Sequence, residues 1–103
     1  MALELRPNCE WCNCDLAADS DAARICSYEC TFCVTCVDEV LRNVCPNCGG
    51  GFTPRPIRPK REWRAGLSLA KRPASTRRIR ATYSKADIEA LARLLAPIAP
   101  AGR

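Results

Sequence analysis

The chain contains no histidine among its 103 residues, and this absence excludes several chemistries. Without an imidazole, the protein cannot build a Ser-His-Asp or Cys-His nucleophile, and it cannot use histidine as a metal ligand. Aromatic residues are scarce, at 6% of the chain, and no apolar run approaches the ~20 residues that a membrane helix requires. The opening MALELRPNCEWC has an early glutamate and no apolar stretch. We therefore expect no signal peptide and no membrane contact, and a cytoplasmic protein.

The charges are divided unevenly between the two halves of the chain. Residues 1–53 carry eight acids and three bases, whereas residues 54–103 carry three acids and thirteen bases. The net charge of +5 therefore describes neither half. A basic segment of this kind binds nucleic acid or another acidic partner, or it folds back on the acidic half of its own chain. The sequence leaves these alternatives open.

All nine cysteines lie between positions 9 and 48. Their spacing is C-x2-C, then C-x3-C-x2-C-x2-C, then C-x2-C, with one further cysteine at position 14. A C-x-x-C pair brings two thiolates to one ion from a tight turn, which is the spacing of zinc sites. Disulfides are disfavoured in a reducing compartment, and an odd number of cysteines fits them poorly. The pattern therefore predicts zinc, at two ions per chain.

Eight of the cysteines make two tetrahedral sites, and two pairings are open. The interleaved pairing, which we favour, assigns one ion to Cys9, Cys12, Cys33 and Cys36 and the other to Cys26, Cys30, Cys45 and Cys48. In the nested pairing, the first and last C-x-x-C pairs share an ion and the inner run holds the second. That inner run also resembles an iron–sulfur ligand run read backwards. Either pairing leaves Cys14 as a free thiol.

The order of the cysteines resembles the cross-brace of RING domains, with Cys30 where those domains commonly carry histidine. The stretch TFCVTCVDEVL resembles the RING segment with an aromatic before the fifth ligand and a short helix after the sixth. The stretch CPNC resembles the closing C-P-x-C. The resemblance implies a RING-like, treble-loop α+β fold stabilised by metal. Trp11 and Pro46 match positions that contact ubiquitin-conjugating enzymes in RING ligases, whereas Gly49 stands where an arginine often engages ubiquitin.

Three stretches, MALELRPNCEWC, ARICSYECTFC and VCPNCGG, are similar to the bacterial domain-of-unknown-function family 1272. This resemblance implies a small cysteine-rich bacterial protein of the cytosol. The sequence departs from the family pattern at two places, with Trp11 where the pattern has cysteine and with an additional Cys14. Since Cys12 is retained, it is the better candidate ligand.

Four segments follow from these patterns: a zinc-binding domain over residues 1–53, a Pro/Arg-rich linker over 54–82, an amphipathic helix over 83–97 and a frayed tail over 98–103. Within the first segment, apolar spacing predicts a short helix over residues 37–43. The alternating prolines near residues 53–59 predict an extended spacer. The C-terminal helix is too short to be stable alone, so its apolar stripe must dock on the domain, on a second copy or on another protein.

We expect a non-enzymatic adaptor, because an all-cysteine zinc site is normally closed and structural. Its most favoured partner is another protein, and a homodimer through the C-terminal helix is an alternative. Candidate partner contacts are Trp11, Pro46, Ile88, Leu91 and Leu95. A second hypothesis is that the basic tail binds nucleic acid or the ribosome. Its contacts would be Lys60, Arg61, Arg64, Lys71, Arg72, Arg77, Arg78 and Arg80. Other readings are a thiol or zinc redox sensor using Cys14, and a ubiquitin-ligase-like RING module.

Overall fold

Three short strands form an antiparallel sheet. In the computed structural model, which describes residues 2–103, β1 (Ala23–Ile25) and β2 (Thr31–Cys33) make a hairpin. The third strand, β3 (Thr53–Pro54), pairs with the other edge of β1, so the order is β2-β1-β3. Pro54 lies on an edge strand, where its missing N–H removes no ladder hydrogen bond. With the helices described next, the sheet makes a small α+β domain.

Helix α1 follows directly on β2 and has two parts, an α-helical turn at Val34–Cys36 and a π-helical turn at Val37–Leu41. The helix predicted over residues 37–43 therefore begins earlier and ends earlier in the structure. The end is set by Arg42 and Asn43, which adopt left-handed conformations with φ of 50° and 60°. Consecutive left-handed residues cannot continue a right-handed helix, so the chain turns towards the last cysteine pair.

Helix α2 (Lys85–Leu95) lies within the segment 83–97 that was predicted as helical. Ser84 is its N-cap, and the Ser84 hydroxyl accepts a hydrogen bond of 3.1 Å from the backbone N–H of Asp87. The helix packs against the π-helical turn of α1 and buries Ile88, which is 2% exposed. The chain's own domain therefore covers the apolar stripe of this helix.

The core lies between the sheet, the two helices and the cysteine loops. Phe32 is fully buried, and its ring meets Phe52 edge-on at 5.5 Å between centroids and 79° between planes. Leu41 from α1 is also fully buried, and Leu16 and Ile88 complete the same cluster. Six of the nine cysteines are buried in or beside this cluster. The cysteine side chains therefore form part of the interior.

The proline-spaced start of the basic segment is anchored to the domain. Arg55 is 4% exposed, and its guanidinium donates hydrogen bonds to the carbonyls of Arg6 (2.8 Å) and Ala17 (3.0 Å). Its backbone N–H donates to the carbonyl of Ala23 at 3.0 Å. This stretch, for which the prolines predict an extended spacer, thus lies along the sheet.

The last residues also contact the domain. Residues 98–103, for which the sequence predicts a frayed end, contain a 3-10 turn over Pro100–Gly102. The Arg103 guanidinium donates to the carbonyls of Asn43 (2.8 Å) and Gly49 (3.1 Å), which fixes the chain end beside the last cysteine loop. Within residues 2–103, no helix has the length and apolarity needed to cross a membrane.

Candidate metal centres

The first C-x-x-C pair lies in a tight hairpin, residues 8–15, that we call the first knuckle. Asn8 and Asp15 form an antiparallel bridge across its base. The Cys9 N–H donates to the Cys14 carbonyl, and the Asn13 N–H donates to the Cys9 carbonyl, both at 2.9 Å. Asn13 has a φ of 65°, a left-handed conformation that asparagine tolerates. This turn brings Cys9 and Cys12 to a common point.

Four thiols converge in the first cluster. The Sγ atoms of Cys9, Cys12, Cys33 and Cys36 all lie within 4.8 Å of one another. The Cys12 and Cys33 sulfurs are 3.9 Å apart. A tetrahedral ion with metal–sulfur bonds of about 2.3 Å requires sulfurs about 3.8 Å apart, whereas a disulfide requires about 2.05 Å. The spacing therefore fits a tetrahedral thiolate site, and these are the four cysteines of the interleaved pairing.

The second cluster is formed by the turn after β1 and by the last cysteine loop. The thiols of Cys26, Cys45 and Cys48 lie within 4.8 Å of one another. Cys30 is not part of that set, but the neighbouring thiols of Cys45 and Cys26 lower the pKa of its thiol. The structure thus brings three of the four predicted cysteines together and places Cys30 beside them.

Backbone amides point at sulfurs in both clusters. Three N–H groups at the turns donate to a cysteine two or three residues earlier, over N···S distances of 3.3–3.4 Å: Tyr28 to Cys26, Cys36 to Cys33 and Gly50 to Cys48. A donated hydrogen bond favours the thiolate over the thiol. Each cluster therefore has at least one backbone donor directed at a sulfur.

The thiols of the first cluster share negative charge unequally. Burial opposes ionisation of Cys12, but hydrogen bonds from Cys14, Cys9 and Cys36 outweigh it and lower the pKa of Cys12 to about 7. Burial and the neighbouring Cys12 thiol raise the pKa of Cys14 to about 12. Burial also raises the pKa of Cys9. Adjacent thiolates repel one another, so several can form together only beside a compensating cation.

The second cluster repeats this pattern. A hydrogen bond with the Cys45 thiol, with smaller help from Asn47 and the positive charge of Arg6, lowers the pKa of Cys30 to about 5. Burial raises the pKa of the Cys26 thiol to about 11. The neighbouring Cys30 thiol, together with burial, raises the pKa of the Cys45 thiol. At each cluster, one thiol with a lowered pKa therefore lies beside two thiols whose pKa is raised, Cys9 and Cys14 at the first and Cys26 and Cys45 at the second.

Cys14, predicted as a free thiol, lies beside the first cluster without belonging to it. Its side chain is exposed, and it is absent from the set of four thiols that converge. The neighbouring thiols of Cys12 and Cys33 nevertheless help to raise the pKa of its thiol. Cys14 is therefore a matched comparison for Cys12, since both are exposed and only one lies in the cluster.

A buried carboxylate ties the first knuckle to β2, and the sequence analysis did not identify it. Glu10 is 2% exposed, and its carboxylate accepts hydrogen bonds from the Thr31 N–H and, at 2.9 Å, from the Arg6 guanidinium. The Glu10 N–H donates to the Thr31 carbonyl at 2.9 Å. Burial raises the pKa of Glu10. The only sequence signal was the position of this acid between two ligands of a C-x-x-C pair.

A second buried polar residue joins the first knuckle to the distant tail. Asn8 is 0% exposed, and its amide donates to the carbonyl of Ile79 at 2.8 Å while its oxygen accepts from the Ile79 N–H at 3.3 Å. Nearby, the Ala81 N–H donates to the Glu10 carbonyl at 2.7 Å. The tail therefore runs along the knuckle in an extended conformation. Its docking on the acidic half was one of the alternatives that the sequence left open.

The eight basic residues that are candidate contacts to nucleic acid fall into two groups. Three contact the first half of the chain: Arg78 pairs with Asp15 at 2.8 Å, Arg77 lies 3.7 Å from Glu4, and Arg80 donates to a carbonyl of the first knuckle. Among the described residues, the other five form no ion pair. These five, all exposed, are Lys60, Arg61, Arg64, Lys71 and Arg72.

The candidate partner contacts are mostly turned inwards. Trp11 is half-buried against the core, and Pro46 is buried. On α2, Ile88 belongs to the core, while Leu91 and Leu95 are half-buried. The large apolar side chain of α2 that faces solvent is that of Leu94, which the sequence analysis did not single out.

The geometry defines a class of protein: a small, cysteine-rich α+β domain with two thiol clusters that could each hold a metal ion. Residues 2–58 match the family described as "Protein of unknown function (DUF1272)". An uncharacterized protein of Rhizobium meliloti (strain 1021) is 51% identical over 77 residues, which is 75% of this chain and 84% of that protein. The chain belongs to this family. No solved structure matches it significantly.

Proposed function

We propose that the protein binds two structural Zn²⁺ ions and acts as a non-enzymatic interaction module. The first ion would be held by Cys9, Cys12, Cys33 and Cys36, whose convergence within 4.8 Å is the observation that carries the proposal. The second would be held by the other predicted set, Cys26, Cys30, Cys45 and Cys48. The interleaved order of these sets supports a RING-like cross-brace.

The donor set favours zinc. Thiolates are soft ligands that select zinc or iron–sulfur clusters among common metals, and four thiolates around one tetrahedral centre are typical of structural zinc. The iron–sulfur reading drew on the inner cysteine run as one ligand set. In the structure that run is divided, since Cys33 and Cys36 lie in one cluster and Cys26 lies in the other.

A structural role for the ions follows from the size of the core. Its strands have two or three residues each, and much of its interior is cysteine. Structural zinc contributes roughly 10–16 kcal/mol in model peptides, which exceeds what so small an apolar core supplies. Because four thiolates leave no open position for water, such sites do not perform hydrolysis. Nine free thiols also suit a reducing compartment, which supports a cytoplasmic location.

The metal proposal is tested by native mass spectrometry of protein purified without added metal. We expect two zinc ions per chain, one after Cys12→Ser or Cys48→Ser, and two after Cys14→Ser. The Cys14 variant is the matched control, since it removes an exposed thiol next to the cluster and leaves the four convergent sulfurs intact. Loss of an ion from this variant, or iron or disulfides in the wild type, would contradict the assignment.

A titration with Co²⁺ checks the same assignment by a second measurement. Cobalt replaces zinc in tetrahedral thiolate sites and gives strong visible absorption there. We expect the absorption to saturate at two equivalents, with full intensity for Cys14→Ser. Saturation at one equivalent would show that Cys30 does not complete the second site.

A further inference from the structure

The residues between the anchored proline stretch and the docked tail form a closed loop, residues 59–72, that we call the basic loop. Its ends meet where the Leu69 N–H donates to the Pro59 carbonyl at 2.8 Å. Ser68 is 2% exposed, and its carbonyl accepts from the Arg72 N–H at 2.8 Å. The Arg58 guanidinium donates to the Arg72 carbonyl. The loop is therefore held in one conformation, which lowers the entropy cost of binding a ligand.

The basic loop carries five bases and one acid. All five bases are exposed, and none of them forms an ion pair with another described residue, whereas Arg77 and Arg78 lie beside Glu4 and Asp15. The structure thus separates a stretch of the tail whose charge is partly matched by its own chain from a loop whose charge faces solvent. The charge of the basic loop is therefore available to a partner.

The basic loop also contains an exposed aromatic ring, which lies between its basic residues in the sequence. Trp63 is 68% exposed and lies between Arg61 and Arg64, and a bridge between Arg64 and Leu67 closes the hairpin just beyond it. An indole of this size is normally at least half covered by its own protein, as Trp11 is here. The exposed ring, surrounded by unpaired bases on a fixed loop, is a feature that neither metal cluster requires.

We propose that the basic loop is a binding surface for single-stranded nucleic acid, with Trp63 as a stacking platform for a base and Lys60, Arg61 and Arg64 as contacts to the phosphates. Sequence-tolerant binding of single strands combines these two elements, an aromatic face and a basic track. The loop suits a membrane surface less well, because Glu62 adjoins the ring and its carboxylate would be drawn into the interface. The surface goes beyond the structural metal role and does not depend on it.

Stacking is tested with fluorescein-labelled oligouridine, 20 nucleotides long, by fluorescence anisotropy on the full chain as purified. Trp63→Leu keeps an apolar side chain but removes the aromatic face, so we expect its dissociation constant to rise between about fivefold and a hundredfold. Trp63→Phe, which retains a ring, should recover most of the loss. Equal affinity for the Leu variant and the wild type would overturn the proposal.

The phosphate contacts are tested by the salt dependence of binding. The triple variant Lys60→Gln, Arg61→Gln, Arg64→Gln should flatten the plot of log K against log salt by about 2, at roughly 0.7 per lost phosphate contact. The matched control removes the same charge from Arg77, Arg78 and Arg80 and should leave the slope within about 0.5 of wild type. Equal flattening in both triple variants would show that net charge alone drives binding, and would overturn the assignment to this loop.

Two further probes separate nucleic acid from other acidic partners. We expect weak binding to phosphatidylserine vesicles and to polyglutamate, with no effect of Trp63→Leu. Stronger binding to vesicles than to oligouridine would refute the proposal in favour of a membrane contact. A far-ultraviolet circular dichroism spectrum and a metal content equal to those of the wild type in each loop variant would show that a loss of binding is not a loss of folding.

Discussion

Helix α2 should lose its docking on the domain when Ile88 is shortened. Ile88→Ala removes three carbons from a side chain that is 2% exposed and belongs to the core. At ~0.8 kcal/mol per buried methylene, with a further cost for the cavity, we expect the free energy of unfolding to fall by about 3 kcal/mol. The matched control is Leu94→Ala on the same helix, which is 66% exposed and should change stability by less than about 0.5 kcal/mol.

The assay is hydrogen exchange at a fixed free zinc concentration, because metal binding shifts the apparent stability. Amides of α2 should exchange about 100-fold faster in Ile88→Ala, since 1.4 kcal/mol corresponds to a factor of ten. If α2 served mainly to join two copies, stability would depend on protein concentration and Ile88→Ala would abolish that dependence. Exchange that is equally slow in both variants would refute the docking described here.

Three other substitutions test the polar framework and the tight turn, each by denaturant unfolding at fixed free zinc. Asn8→Ala should cost about 2–3 kcal/mol, because it removes the buried amide that bonds the tail backbone, and a loss below about 0.5 kcal/mol would contradict that contact. Glu10→Gln should cost about 2–4 kcal/mol, because it removes a buried carboxylate and leaves the half-buried Arg6 guanidinium with only Glu4 as a charged partner, whereas the control Glu62→Gln on the exposed loop should change little. Gly49→Ala should cost about 2 kcal/mol, because φ is +80° and the new methyl would lie 3.0 Å from a methyl of α2. Gly66→Ala has a similar φ of +77° but open space around it, so its cost of about 1 kcal/mol should isolate the backbone contribution.

The chemistry of the candidate sites could be predicted from the sequence because it is local. The spacing of a C-x-x-C pair determines how its two thiols converge. Nine cysteines in so short a stretch allow few assignments of ligands to sites. The choice between interleaved and nested pairing depends instead on which turns meet in space. In the structure, the β1–β2 hairpin separates Cys26 from Cys33, and the two lie in different clusters, as the interleaved pairing requires.

The course of the basic half could not be predicted in the same way. Arg55 lies between two prolines, and this position predicts an exposed side chain. In the structure its guanidinium is buried, because two carbonyls accept its hydrogen bonds. The contact between Asn8 and Ile79 joins residues far apart in the chain and leaves no periodicity in the sequence. Helix α1 also differs from its prediction, since the left-handed residues that end it, Arg42 and Asn43, are not glycines.

The contact between Asn8 and the tail has a consequence for the order of events during synthesis. All nine cysteines leave the ribosome before Ile79 does, and at ~5–20 residues per second this leaves an interval of a few seconds. During that interval the cysteine loops can collect metal while the amide of Asn8 and the pocket for Ile88 are still open to water. Residues 79–81 then dock on the first knuckle, through the hydrogen bonds to Asn8 and Glu10. If the first cluster holds an ion, that ion can therefore reach the thiols of the knuckle before the tail has docked on it.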